Sequence, residues 1–165
     1  MIIYNSIYYG NTEKIAKAIA KVLEAPAVKP QQADIINLVK HDLIGFGSGI
    51  YFNKHHQSLF DIVEKIPLVN NKKAFIFSTN RDGITNNHRL LRDTLREKGF
   101  MIVGEFACKG FEDWRAVKIV GGKGINEGKP DAEDLQRAEN FAIDLNRKYV
   151  IGEKKLTVTT RYYQE

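Results

Sequence analysis

Four short apolar runs, at Met1 to Tyr4, Leu43 to Phe46, Ala74 to Phe77 and Met101 to Val103, are nearly continuous and rich in Ile, Val and Phe. A strand with one wet face alternates apolar and polar residues, whereas an unbroken run suits a strand buried on both faces. A weaker run, Ala27-Val28, lies between Pro26 and Pro30. Helical spacing intervenes between the runs. It is seen from Ile15 to Leu23, at Leu59, Ile62, Val63 and Ile66 before Pro67, and at Leu90, Leu91, Thr94 and Leu95 before Gly99. A last stripe, Leu135, Ala138, Ala142, Leu145 and Tyr149, follows Pro130-Asp131. Strand and helix in alternation, joined by right-handed crossovers, predict an α/β fold. Its five-stranded parallel sheet has the order 2-1-3-4-5 and is covered by helices on both faces as a three-layer sandwich.

A chain of 165 residues, 43% apolar and 27% charged, suits one globular domain with a real core. We assign that domain to residues 1–149 and treat 150–165 as a tail. Leu156 to Thr160 in the tail have strand propensity, which suits an edge strand or a contact with a second subunit, with a disordered terminus as the alternative. No apolar run has membrane-spanning length, and Met1 opens a strand rather than a signal peptide, so the chain reads as cytoplasmic. The single cysteine, Cys108, excludes an internal disulfide and cannot build a zinc site alone, so no metal site is expected. It reads as a buried, inert thiol.

The formal charge of +5 is spread along the chain, with denser basic stretches around Arg115, Lys118, Lys123 and Lys129 and at Lys154, Lys155 and Arg161. No reading element for nucleic acid accompanies them. They read as a solvated basic surface, with acidic protein partners as the functional alternative. Residues 109–128, with five glycines, read as an irregular loop that lacks the Gly-Lys-Ser/Thr ending of a nucleotide P-loop.

The turn Ser6-Ile7-Tyr8-Tyr9-Gly10-Asn11-Thr12 leads from the first strand into the first helix and contains no Lys or Arg. The first N–H groups of a helix lack intrahelical partners and the helix dipole favours negative charge there. Hydroxyls and backbone N–H groups at that position suit a phosphate ester. In a doubly wound sheet ligands bind beyond the carboxyl ends of the strands, where the order reverses. Gly47 to Phe52 follow the third strand and Ser78 to Gly83 the fourth, so three loops of small polar residues meet at one edge.

Ser-x-x-x-Gly-Asn-Thr-x-x-Ile-Ala, from Ser6 to Ala16, resembles the phosphate loop of the flavodoxin family, and the likeness extends over Met1 to Tyr149. The resemblance implies a flavodoxin-like fold and an FMN cofactor. Ser6, Gly10, Asn11 and Thr12 would hold the 5′-phosphate, with Tyr8 in the same turn where flavodoxins often carry a threonine. Ser48, Gly49, Ile50, Tyr51 and Phe52 would cover one side of the isoalloxazine, with Tyr51 stacked on it. Ser78, Thr79, Asn80, Arg81 and Gly83 would line another side, with Arg81 near its N1 and C2 carbonyl edge. That last loop has no aromatic residue, so Trp114 is the candidate to cover the second face. His55 and His56, next to the following helix, read as exposed residues at its start.

Other users of this topology lack their residues here. A response-regulator receiver needs acidic residues where Asn5 and Gly47-Ser48 stand, and a low-molecular-weight tyrosine phosphatase needs a cysteine in the first loop. The resemblance therefore implies an electron carrier between redox partner proteins, with no residue of the chain itself catalytic. Typical carrier flavodoxins are acidic, and this basic chain calls for different, acidic partners. The alternatives are an FMN-dependent oxidoreductase acting on a quinone, protoporphyrinogen or another small molecule, and a flavin-free interaction domain.

Overall fold

A computed structural model describes residues 1–113 and 124–151. The apolar runs are strands and the helical stripes are helices: β1 (Ile2–Asn5), α1 (Asn11–Leu23), β2 (Ala27–Val28), α2 (Ile35–Leu38), β3 (Leu43–Tyr51), β4 (Lys54–His55), α3 (Gln57–Lys65), β5 (Lys72–Asn80), α4 (Arg89–Glu97), β6 (Phe100–Lys109) and α5 (Ala132–Asn146). A 3-10 turn at Asn86–His88 leads into α4, and a π turn, Arg147–Ile151, continues α5. The sheet order is β2-β1-β3-β5-β6, all parallel, with β4 paired antiparallel to β3 off the main path. Without that short hairpin strand the order is the expected 2-1-3-4-5, with helices on both sides.

Side chains alternate across the strands and feed two cores. Ile3, Ile44, Phe46, Ala74 and Ile76 pack toward α3 and α4 on Leu59, Ile62, Val63, Leu91 and Leu95. Ile2, Tyr4, Phe75, Phe77, Phe106 and Cys108 pack toward α1 and α5 on Ile15, Ile19, Ala138 and Ala142. Complete burial of such residues on both faces stabilises the sheet by about 1.5–3 kcal/mol per large side chain. α5 begins where sequence chemistry favours it. The Asp131 carboxylate accepts from Asp134 N–H while the Asp134 carboxylate accepts from Asp131 N–H, a reciprocal capping box. Among the described residues no helix is long and apolar enough to cross a membrane.

The strands run further than their apolar cores. Gly47 to Tyr51 and Ser78 to Asn80 belong to β3 and β5, not to the loops after them. The physical reason lies across the ladder, where Gly45 pairs with Phe75 and Gly47 with Phe77. A Cβ on either glycine would run into the ring of its partner, so the glycines make room for aromatic rings within a regular strand. The hairpin strand β4 and the four-residue α2 also add to the expected order. His55 corrects the expectation of an exposed pair: it is completely buried in β4, and His56 caps α3 by accepting from Ser58 N–H. Trp114, the basic residues Arg115, Lys118 and Lys123, and the tail from 152 onward lie outside the described residues.

Candidate functional site

The carboxyl ends of β1, β3, β5 and β6 lie side by side, and their loops are tied to one another. In the first loop Tyr9 and Gly10 both take the left-handed region, at φ 56° and 67°, and so turn the chain into α1. An aromatic residue in that region is strained, a state that clusters at functional sites. Ile7, Tyr8 and Tyr9 are each at least half exposed. Ser6 Oγ and Asn11 Oδ1 are buried and lack hydrogen-bond partners. Asn11 Nδ2 donates to the Phe111 carbonyl at 2.8 Å, and the Thr12 and Thr79 hydroxyls are 2.8 Å apart.

The second segment is the β3–β4 hairpin. Ser48 is buried and turned toward α3, away from the loop edge. Its Oγ is 2.6 Å from the Gly49 carbonyl, accepts from His56 N–H at 2.9 Å and lies 3.0 Å from His55 Nδ1. Tyr51 lies across Gly49, where an added Cβ would stand 2.8 Å from the Tyr51 hydroxyl. Its ring meets Tyr8 at 6.3 Å and the His56 ring edge-on at 5.5 Å, and Ile7 N–H points at its hydroxyl oxygen. Burial raises the Tyr51 hydroxyl pKa, so it remains a neutral phenol. Ile50 is partly buried opposite His55, while Phe52 is 99% exposed at the hairpin tip with φ 49°, next to Asn53 at φ 62°.

The third segment is organised by Asn80. Its Oδ1 accepts from Asp82 N–H at 3.1 Å and Gly83 N–H at 2.7 Å, and its Nδ2 donates to the Ile84 carbonyl at 2.9 Å. Gly83 closes this turn at φ 71°. Ser78 is buried beneath it and bonds His88 Nε2 at 2.8 Å. Arg81 Nη2 meets Glu112 Oε2 at 3.2 Å across to the loop after β6, so its charge is shared with that carboxylate. Burial pushes the Cys108 thiol, on β6, up to about 12, and it stays protonated.

Thus Ser6, Gly10, Asn11, Thr12, Thr79, Asn80 and Gly83 converge on one edge, with Tyr8, Gly49, Tyr51 and Phe52 flanking it. Ser48 and Ser78 support that edge from beneath. Sequence reasoning missed Phe111, whose ring packs edge-on to Tyr9 at 4.8 Å, and the group His55, His88 and Glu105. Glu105 carried a readable signal, since a carboxylate within the apolar stretch from Met101 to Ala107 demands a buried partner.

The sequence model of the flavodoxin domain matches residues 1–107. An uncharacterized protein of Methanocaldococcus jannaschii is 46% identical over 144 residues, covering 86% of this chain and 94% of that relative. Among solved structures, a flavodoxin from the domain Archaea superposes with TM-score 0.65 at 19% identity, covering 90% of this chain and 96% of that one. Flavodoxin 2 from Bacillus cereus gives 0.62 at 23% identity, covering 90% and 97%. The flavodiiron protein of Giardia intestinalis gives 0.61 at 18%, over 93% of this chain and 36% of its own longer one. At these identities the structural matches show the fold.

Proposed function

Because the chain belongs to the flavodoxin domain family, we propose that it binds FMN at the carboxyl edge of its sheet and passes electrons between redox partner proteins. One observation carries this reading. The cation-free turn from Ser6 to Thr12 opens on the N-terminus of α1 with two buried polar atoms, Ser6 Oγ and Asn11 Oδ1, still able to bond. A hydroxyl suits a phosphate oxygen, the first N–H groups of α1 add donors, and the Asn11 carbonyl oxygen accepts from a hydroxyl such as those of the ribityl chain. Ser6, Gly10, Asn11 and Thr12 would hold the phosphate end, with Tyr8 beside them. Gly49 to Phe52 and Thr79 to Gly83 would flank the isoalloxazine, Ser48 and Ser78 holding those segments from below. FMN supplies the electron-carrying chemistry, and these residues bind and orient it. The partners fit acidic proteins, in keeping with the chain's net charge of +5.

Titration of the purified chain with FMN and with riboflavin tests this reading. FMN should bind on the order of 100-fold more tightly, the worth of one or two charge-assisted hydrogen bonds. Equal affinities would remove the phosphate assignment and favour a flavin-free interaction domain.

The segment Ser78 to Gly83 carries no aromatic residue to cover that side of the isoalloxazine, which supports a second reading, an FMN-dependent oxidoreductase. Its substrate would be a quinone, protoporphyrinogen or another small molecule. Reoxidation of the reduced FMN-loaded protein by a soluble quinone separates the two. A rate that saturates with quinone indicates a substrate site, and a rate that stays linear indicates a carrier.

A further inference from the structure

A chain of polar side chains crosses the α3/α4 face beneath the loop that follows β5. Arg92 of α4 forks onto the Glu105 carboxylate, with Nη2 2.9 Å from Oε2. Glu105 Oε2 lies 3.0 Å from His88 Nδ1, and His88 Nε2 lies 2.8 Å from Ser78 Oγ. Asn80 Nδ2 donates to Ser78 Oγ at 3.0 Å, and Asn80 Oδ1 collects the N–H groups of Asp82 and Gly83. His88 and Ser78 have no solvent exposure.

The polarity of this chain follows from its far end. Burial alone would raise the Glu105 pKa, but the Arg92 hydrogen bonds and charge, with His88 beside them, hold it below the usual carboxylate range. An ionised carboxylate only accepts, so His88 Nδ1 carries the hydrogen. In a neutral ring Nε2 is then bare and accepts the Ser78 hydroxyl. Ser78 Oγ accepts from Asn80 Nδ2, which leaves Asn80 Oδ1 facing the loop. The charged and titratable groups around His88 are Glu105 on β6, Arg92 on α4 and His55 on β4, whose ring centroid is 4.9 Å away. Burial keeps His55 neutral, and burial together with Arg92 outweighs Glu105 and holds His88 below its ordinary value. A second proton on His88 would place an N–H against Ser78 and leave the serine hydrogen without its acceptor.

We propose that His88 is a positioning residue for the cofactor loop: through Ser78 and Asn80 it fixes the Arg81–Ile84 segment in its binding shape, and it does so only as a neutral imidazole with hydrogen on Nδ1. That this segment receives a flavin rests on the reading above.

The test follows the imidazole ¹⁵N signals of His88 and the backbone amides of Asp82 and Gly83 in the full chain without flavin, from pH 7.5 to 4.5. FMN dissociation constants are measured over the same range. At pH 7.5 the ring should carry hydrogen on Nδ1 alone. On acidification the two amides should shift with the midpoint of His88, and FMN affinity should fall about tenfold with that midpoint. Ser78→Ala, which cuts the chain while leaving His88 on Glu105, should uncouple the amides from His88 and make FMN binding weaker and flat across its titration. Hydrogen on Nε2 at pH 7.5, or amides that ignore the His88 midpoint, would overturn the proposal. So would FMN affinity that stays constant while His88 titrates, and that result would leave the cofactor reading intact. Coupled amides in a chain that binds no FMN would instead keep the relay and remove the cofactor.

Discussion

Thr12, at the start of α1, and Thr79, the penultimate residue of β5, join their hydroxyls at 2.8 Å in a buried setting although they stand 67 residues apart in the chain. The bond ties the proposed phosphate turn to the strand that carries Asn80. Thr12→Val leaves the Thr79 hydroxyl without this partner, and Thr79→Val does the reverse. Each should cost about 1–3 kcal/mol in urea unfolding. The double variant should cost less than the sum by about 1 kcal/mol. Strictly additive costs would show that the two hydroxyls are satisfied independently.

Gly47→Ala is expected to destabilise by about 1–3 kcal/mol, because the new methyl group must displace the Phe77 ring from a packed core. Phe77→Leu in the same chain should recover part of that loss, since the shorter side chain vacates the space above the strand. Thermal melts of the three proteins check this. No recovery would place the strain in the β3 backbone rather than in the ring.

Phe52 occupies the first central position of a two-residue hairpin turn at φ 49° while almost fully exposed. Asn tolerates that backbone region much better than Phe. Phe52→Asn should therefore stabilise the protein by roughly 0.5–1 kcal/mol, as other relieved left-handed positions do. An unchanged or lowered melting temperature would mean that the ring makes a stabilising contact in solution.

Two buried imidazoles set an acid limit on stability. Burial holds His55 well below its ordinary value of 6.5 and also lowers His88. The unfolded imidazoles take up protons that the folded ones refuse, so their contribution is fully present above their ordinary pKa and declines as pH falls toward the folded values. The buried Met1 amino group, lowered from 8.0 to about 6, adds a decline of the same sign from about pH 8 downward. Between pH 6.5 and 5.5 each imidazole that stays unprotonated in the folded chain removes at most about 1 kcal/mol. Urea unfolding at pH 7.5, 6.5 and 5.5 measures the slope. A flat profile would mean that both rings take up protons in the folded protein as readily as in the unfolded chain.

The strand cores, the four longer helices and the edge on which the loops meet were legible in the sequence because apolar periodicity reports burial directly. Strand ends were not. Gly45, Gly47 and Gly49 have the composition of a turn, and only the rings of Phe75 and Phe77 on the neighbouring strand and of Tyr51 two residues on reveal why glycine is needed in a strand. The β3–β4 hairpin escaped for a related reason. Its tip is Phe52-Asn53 rather than the Asn-Gly pair that marks such turns, so His55 could not be read as the inward residue of a strand. Ser48 and Ser78 were found as polar residues near the edge, but their direction depends on strand register, which a single sequence does not state. The partner of Arg81 was out of reach for the same kind of reason, because Glu112 arrives from a loop 31 residues later.

The glycines of β3 have one further effect. On the α1/α5 side Gly45 and Gly47 have no side chains, and rings from β5 cover the backbone there. On the other side Ser48 anchors the strand end through His55 and His56. The middle strand is thus cushioned on one face and bolted on the other. A change of volume among the α1 and α5 residues therefore meets the aromatic rings of β5 before it reaches the β3 backbone. The two helical layers therefore hold different parts of the site: α1 gives Asn11 and Thr12 to the first loop, and the α3/α4 side anchors the hairpin.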